Sequence, residues 1–446
     1  MRSRHYSGGF RKLTNLKAKI VLNFWHYIMF LMALKKELGL FDALAIGIGA
    51  IIGAGIFVIT GIAAGLAGPA LLLSLLISAC IATFTALSFA ELAAVIPKEG
   101  GGYEFARELV SPFAGFMAGW LWLLSNVVVG AVVSLGFASY LALFIPLPVK
   151  AMAVTACLGI TLINYFGVRE SGLVNDALVV IKLAILTFFV VVGLGAVKLD
   201  NFSPLLPHGS VGVMQGAALI FFAYTGFARI TIVSEEVKDP EKTIPHAIVL
   251  ALVLSTVLYL LVSFTAIGLV GYHELATSGS PLADAAMSES KNAADLISIG
   301  AIAAILSVLL TTLLGLSRLS FAMARSGDLP KLFANLHPKH ATPYNTIVVF
   351  GILMAFFAAF TDILRAVSIS NFASLLYYGI ANYAALKLEK PRYPRIISIL
   401  GLLSCISLLF FLAHDAWIIG CTVIFAGVIY YKLGRGKSFR LTSAAT

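Results

Sequence analysis

From about Leu44 to Leu66 runs an apolar stretch long enough to cross a bilayer as one helix, yet Gly47, Gly49, Gly53 and Gly55 fall within nine positions of it. Each glycine costs roughly 0.8 to 1 kcal/mol of helix propensity relative to alanine. Gly53-Ala54-Gly55 also leaves almost no side chain over the main chain. In hydrocarbon an unpaired N–H or C=O costs several kcal/mol, so irregular backbone at mid-depth survives only where it is buried in protein or lines a cavity. The stretch therefore predicts a broken helix whose bare peptide groups face a binding site. A simpler reading of the same residues is a helix-packing face, since Gly49 and Gly53 have GxxxG spacing.

The rest of the chain sets that break in a membrane. Hydrophobic residues make up 60% of the 446 positions, charged residues only 12%, and the mean hydropathy is +0.98. A soluble domain carries about 25% charged residues. The composition predicts an all-α membrane protein that crosses the bilayer repeatedly. Twelve apolar runs are expected to be transmembrane helices: 43–66, 70–95, 112–145, 149–167, 175–197, 212–234, 246–271, 293–324, 344–361, 366–386, 394–413 and 415–432.

A net charge of +10 could signify nucleic-acid binding, but its distribution excludes that. Of 31 Lys and Arg, only Lys150, Lys198, Lys291 and Arg365 fall on one side of the twelve runs, and Lys182, Arg229 and Arg318 fall within them. The remaining 24 lie on the other side. The positive-inside rule then places both termini in the cytoplasm of a cell whose cytoplasmic membrane holds the chain. The four cysteines lie within runs, as small core residues rather than a disulfide framework. The histidines show no ligand spacing, so no metal site or other cofactor is expected. Gly436-Lys437-Ser438 lacks the glycine a phosphate loop needs five positions earlier, where Tyr431 stands, so no nucleotide partner is expected. Residues 1–41 form an N-terminal segment in which Ile20 to Leu34 is too short to span. It predicts either an interfacial helix or an over-extended start upstream of Met32.

The sixth run repeats the opening anomaly. Phe221-Phe222-Ala223-Tyr224-Thr225-Gly226-Phe227 sets a glycine and small polar residues mid-span. Two interrupted segments five runs apart predict an inverted repeat, because an odd number of spans per half reverses its orientation. The halves are 42–197 and 212–386, with two extra helices over 394–433 and a tail over 434–446.

Few charges lie inside. Lys182 sits in the fifth run, where an ammonium costs on the order of 2.5 to 3.5 kcal/mol and must face a cavity or an acceptor. Burial disfavours its charged form, which suits a group that takes up and releases a proton. The competing reading is a fixed cation pinning the fifth run to carbonyls of the first. Arg318 is expected to pair structurally with Glu91 or Glu235, and Arg229 has no evident partner.

Gly49 to Phe57, Phe89-Ala90-Glu91 through Pro97 and Gly100-Gly101-Gly102-Tyr103, Phe222 to Phe227 followed by Glu235-Glu236-Val237-Lys238-Asp239-Pro240, and Ser317-Arg318 through Arg325-Ser326-Gly327-Asp328-Leu329-Pro330 occur in this order. Together they resemble the amino acid, polyamine and organocation (APC) superfamily over about residues 37 to 435. The resemblance implies a LeuT-like 5+5 inverted repeat working by alternating access. It implies that N–H groups of Gly53, Ala54 and Gly55 receive a substrate carboxylate, and that carbonyls near Ala50, Ile51, Phe222, Ala223 and Tyr224 accept its ammonium. Phe222 matches an aromatic that occludes the substrate. Lys182 matches a lysine standing where sodium-coupled members bind the ion, near Gly49 and a hydroxyl of the eighth run, Ser307.

One departure bears on the substrate. Many cationic amino acid members carry Asp or Glu two residues after the glycine of the sixth run, where this chain has Ala228 followed by Arg229. The small Ala54 and Gly226 are expected to leave room for a side chain of moderate size. The reading is therefore a non-enzymatic, proton-coupled importer of neutral L-amino acids. Its alternatives are a sodium-independent exchanger, a cationic amino acid or polyamine permease, and a non-transporting sensor.

Overall fold

The computed structural model describes residues 38–98, 100–167, 172–232, 237–340 and 342–442. The Ile20–Leu34 segment and Glu235 lie outside them. Among the described residues the chain is helical, apart from a single bridge between Leu38 and Val237. Eight helical stretches are long and apolar enough to cross a membrane. One of them, Leu40–Val95, contains the first two predicted runs. Shorter apolar helices at Val149–Tyr165, Tyr344–Phe360 and Arg395–Leu409 coincide with the fourth, ninth and eleventh.

The first run is divided into α1 (Leu40–Ile51), a π-helical turn (Gly55–Ile59) and α2 (Thr60–Ala67). A 3-10 turn at Gly68–Ala70, carrying Pro69, leads into α3 (Leu71–Val95). A short α4 (Gly102–Leu109) lies in the next loop, followed by α5 (Pro112–Leu141) and α6 (Val149–Tyr165). Next come α7 (Gly172–Gly193), α8 (Gly209–Ile220), a 3-10 stretch at Phe221–Ala228 and the single-turn α9 (Arg229–Ile232). The chain continues through α10 (Pro240–Thr277), α11 (Pro281–Met287), α12 (Lys291–Arg325), α13 (Tyr344–Phe360), α14 (Ile363–Ala385), α15 (Arg395–Leu409) and α16 (His414–Thr442).

Several boundaries follow from local chemistry. The Ser111 hydroxyl accepts the Ala114 N–H at 3.1 Å ahead of Pro112, and the Asp362 carboxylate accepts the Arg365 N–H at 2.9 Å. Each satisfies a donor that has no intrahelical partner. Within α10, Gly271 leaves helical geometry at φ 78°, where the seventh apolar run ends.

The core is built by α5 packing on α12 and α14, and by α10 packing on α1, α2 and α3. Large apolar side chains are left outside: Val191, Phe360, Phe410, Ile418 and Phe425 are each at least 68% exposed. Buried serines and threonines turn inward instead, Ser74 and Ser78 donating to the Val213 and Ala217 carbonyls at 2.8 and 2.7 Å. Greasy outside and hydroxyl-lined within is the distribution a bilayer imposes.

Candidate functional site

The two interrupted runs meet at the centre of this helical assembly. After Ile51 the chain turns extended at Ile52 (φ −79°, ψ 102°) before helical geometry resumes as a π turn at Gly55. Its counterpart does not unwind. Phe221–Ala228 tightens into a 3-10 helix instead, which changes the direction of its carbonyls without opening the chain. A Cβ on Gly226 would stand 2.4 Å from the carbonyl carbon and oxygen of Ala50, and one on Gly55 would stand 2.5 Å from the Ala223 Cβ. Only glycine allows the two backbones this approach.

The breaks leave carbonyls without intrahelical donors, and long side chains from other helices reach in to serve them. Lys182 on α7, 2% exposed, donates through Nζ to Gly49 O at 2.9 Å. The Tyr259 hydroxyl on α10 lies 2.8 Å from Ile51 O and 3.3 Å from Ala223 O, so one proton serves both broken segments. Tyr378 on α14 donates to Thr225 O at 2.8 Å, and Tyr140 on α5 to Phe57 O at 2.7 Å. Removing the bridging hydroxyl by Tyr259→Phe is expected to cost about 1 to 2 kcal/mol of stability. The check is a lowered Tm of the purified protein, and a Tm equal to that of the parent chain would contradict this role.

Between the segments lies a cavity walled by Ala50, Ile51 and Gly53–Gly55 on one side and Phe222, Ala223 and Gly226 on another. Its remaining wall comes from Trp122, Ser125 and Asn126 on α5 and from Ser374, Tyr377 and Tyr378 on α14, with Ala228 and Arg229 beside them. Ser125 Oγ lies 2.6 Å from Ser374 Oγ and 3.1 Å from Ser370 Oγ, a hydroxyl cluster at this wall. Arg229 donates to the Thr311 and Thr312 hydroxyls at 2.5 and 2.7 Å, which hold its guanidinium at the cavity. Small-molecule pockets are concave and set a few converging polar groups in an otherwise apolar lining. This one joins exposed peptide groups, hydroxyls, a cation and aromatic rings.

The sequence profile of the family described as amino acid permease matches residues 38–430, from α1 into α16. The chain belongs to the amino acid permease family. The permease is 37% identical over 407 residues to an uncharacterized transporter of Mycobacterium tuberculosis, covering 90% of this chain and 92% of that one. It is 32% identical over 441 residues to a branched-chain amino acid permease of Bacillus subtilis, covering 92% and 95%. It is also 37% identical over 385 residues to the methylthioribose transporter of the same organism, covering 82% and 83%.

The permease brings most of the expected residues to one place. Ala50, Ile51, Gly53, Ala54, Gly55, Phe222, Ala223 and Gly226 line the cavity, and Lys182 meets Gly49. Tyr224 does not line it. Its ring packs against Tyr259, and its hydroxyl is directed at Leu75 O, because the 3-10 turn swings this position away from the centre. The carbonyls of Ile51 and Ala223 already accept from Tyr259, and Phe222 O accepts from Thr225 at 2.9 Å, so the expected set of free ammonium acceptors is partly in use. The smallness of Gly226 goes to backbone contact with Ala50 rather than to space for a side chain. Ser307 donates to Ala304 O within α12 and is not part of the cavity wall.

The ion pair expected between Glu91 and Arg318 is not formed. The Glu91 carboxylate accepts the N–H groups of Arg392 and Tyr393, capping the turn before α15, while Arg318 lies exposed on a second cavity. Sequence reasoning missed Trp122, Ser125, Asn126, Ser374, Tyr377 and Tyr378. The only local signal was polar residues inside apolar runs, with Ser370, Ser374 and Tyr377 spaced along one face of α14.

Proposed function

We propose that the permease is a secondary transporter importing small to mid-sized neutral L-amino acids with protons, by alternating access across the cytoplasmic membrane. On this reading all twelve apolar runs span the bilayer, the first ten form a LeuT-like inverted repeat, and both termini are cytoplasmic. One observation carries the proposal: both glycine-bearing interruptions face a single cavity. A substrate carboxylate is placed at the N–H groups of Gly53–Gly55, where a new helical segment begins and its first donors lack intrahelical acceptors. Phe222, on the opposite wall, closes over the bound molecule. Lys182 couples the proton, because its bond to Gly49 O links the charge state of a buried amine to the position of α1.

Arg229 supports an uncharged substrate side chain. It follows Ala228, the position at which many cationic members carry an acid, and two unit charges roughly 8 Å apart at an effective dielectric of about 20 repel by about 2 kcal/mol. Arg229→Ala is therefore expected to improve competition by lysine up to about thirtyfold, while competition by alanine changes little. A competition panel in proteoliposomes reads this directly, and lysine competition that stays unchanged would refute it.

Protein reconstituted into empty vesicles is expected to accumulate labelled alanine or leucine under an imposed proton gradient without sodium. A requirement for sodium would overturn the coupling. Uptake seen only after preloading with amino acid would establish the exchanger instead.

A further inference from the structure

A second, smaller cavity adjoins the first and shares two of its walls. Trp122 and Tyr377 line both. Beyond them the lining is Gly100, Gly315, Arg318, Leu319 and Ala322. Gly315 keeps the partition closed, since a Cβ there would stand 3.2 Å from the Trp122 ring. Tyr377 is held from the loop side, where Gly102 donates its N–H to the phenol oxygen at 3.1 Å and leaves no room for a Cβ against the ring. That loop follows two positive-φ residues, Gly100 and Gly101. Its helix α4 is tied to the end of α12, because Tyr103 and Arg107 both donate to Asp328, at 2.8 and 2.9 Å. Burial holds the Tyr103 phenol well above its ordinary range, so it stays a donor.

Arg318 is the charged group of this second cavity. Among the described residues no carboxylate forms an ion pair with it. Among the described residues that line it, no side chain is acidic. A guanidinium offers a planar fork that matches a carboxylate, and Trp122, Tyr377, Leu319 and Ala322 supply an apolar surface beside it.

We propose that this cavity is a second substrate site, a carboxylate-binding station that receives the transported amino acid after it passes the Trp122–Tyr377 partition. The proposal rests on the amino acid reading above, with Gly100 on the cytoplasmic side. The station recognises the acid end and an apolar body, since the side chain that Arg318 offers is matched to a carboxylate and Trp122, Leu319 and Ala322 are apolar or nearly so. It therefore binds small apolar monocarboxylates that lack an amine, which the central cavity does not hold.

The test is direct binding of labelled 4-methylpentanoate, the des-amino analogue of leucine, to the purified full-length permease, with labelled leucine measured in parallel. The parent chain is expected to bind both. Arg318→Gln should weaken 4-methylpentanoate at least tenfold and leave leucine within about threefold, and Arg318→Lys should restore part of the loss. Ala322→Phe, which fills the cavity and leaves the charge in place, should also remove 4-methylpentanoate binding. Absence of 4-methylpentanoate binding to the parent chain, or binding that survives both Arg318→Gln and Ala322→Phe, overturns the station. Failure of leucine to bind while 4-methylpentanoate binding still depends on Arg318 overturns the amino acid reading alone.

Discussion

Lys182→Ala is expected to abolish proton-driven accumulation of amino acid while sparing exchange between preloaded vesicles and the medium. The side chain is 2% exposed, and its ammonium donates to Gly49 O two residues before α1 ends. A hydrogen bond from a charged donor is worth about 1.5 to 3 kcal/mol, and much of that goes when the amine is neutral. Protonation thus favours the arrangement in which α1 is drawn to α7, and deprotonation releases it. Alanine removes the link, so concentrative uptake should fall by about tenfold to a hundredfold. Counterflow needs no net proton movement and should persist within a few-fold. Lys182→Arg, which keeps a permanent cation at this position, should also exchange but not concentrate. Measuring uptake into empty and preloaded vesicles with and without a proton gradient separates these outcomes. Undiminished proton dependence in Lys182→Ala would reduce Lys182 to a fixed strut between α7 and α1.

Gly226→Ala is expected to have an effect of comparable size by a different route. The added methyl would meet the peptide of Ala50 and Ile51 at 2.4 to 2.5 Å, and those atoms are backbone that cannot rotate away. Overpacking of this kind costs about 1 to 3 kcal/mol where side chains can adjust, and here they are not the obstacle. The two broken segments must separate, which moves the Gly53–Gly55 donors and the Tyr259 bridge together. Substrate binding should drop below about a tenth of the parent value. Gly159→Ala is the control, since nothing stands within 4 Å of its Cβ position on the exposed face of α6. Equal binding by both variants would mean that the approach of α1 to the 221–228 segment is not what shapes the site.

The expectation that held furthest concerned the first run, because it rested on a purely local cause. Four glycines within nine positions of a bilayer-length segment weaken a helix wherever it is placed, and hydrocarbon forbids the loose peptide groups from facing lipid. The interrupted part of the sixth run, Phe221–Phe227, carries a single glycine amid aromatic residues, and there the same logic reached too far. Phe221–Ala228 stays wound as a 3-10 helix, and Tyr224 is buried against Tyr259, away from the cavity. Charged residues were the least legible. Glu91 ends on the backbone of residues 392 and 393, and Arg318 lies in a cavity rather than an ion pair. A carboxylate or guanidinium near a helix end has many possible partners in sequence and is assigned one by packing alone.

The amino-acid sequence by itself determined that this protein lives in a membrane, where its apolar helices fall and that the first of them must break, since hydrophobicity, charge bias and glycine content act over a few turns of chain. Only the tertiary structure decided which carbonyls of that break remain available and which are served by Lys182, Tyr259 and Tyr378. Those bonds join residues 133, 208 and 153 positions apart. Such distances are closed by the mutual packing of whole helices, in which no single segment contains the information about what it will meet.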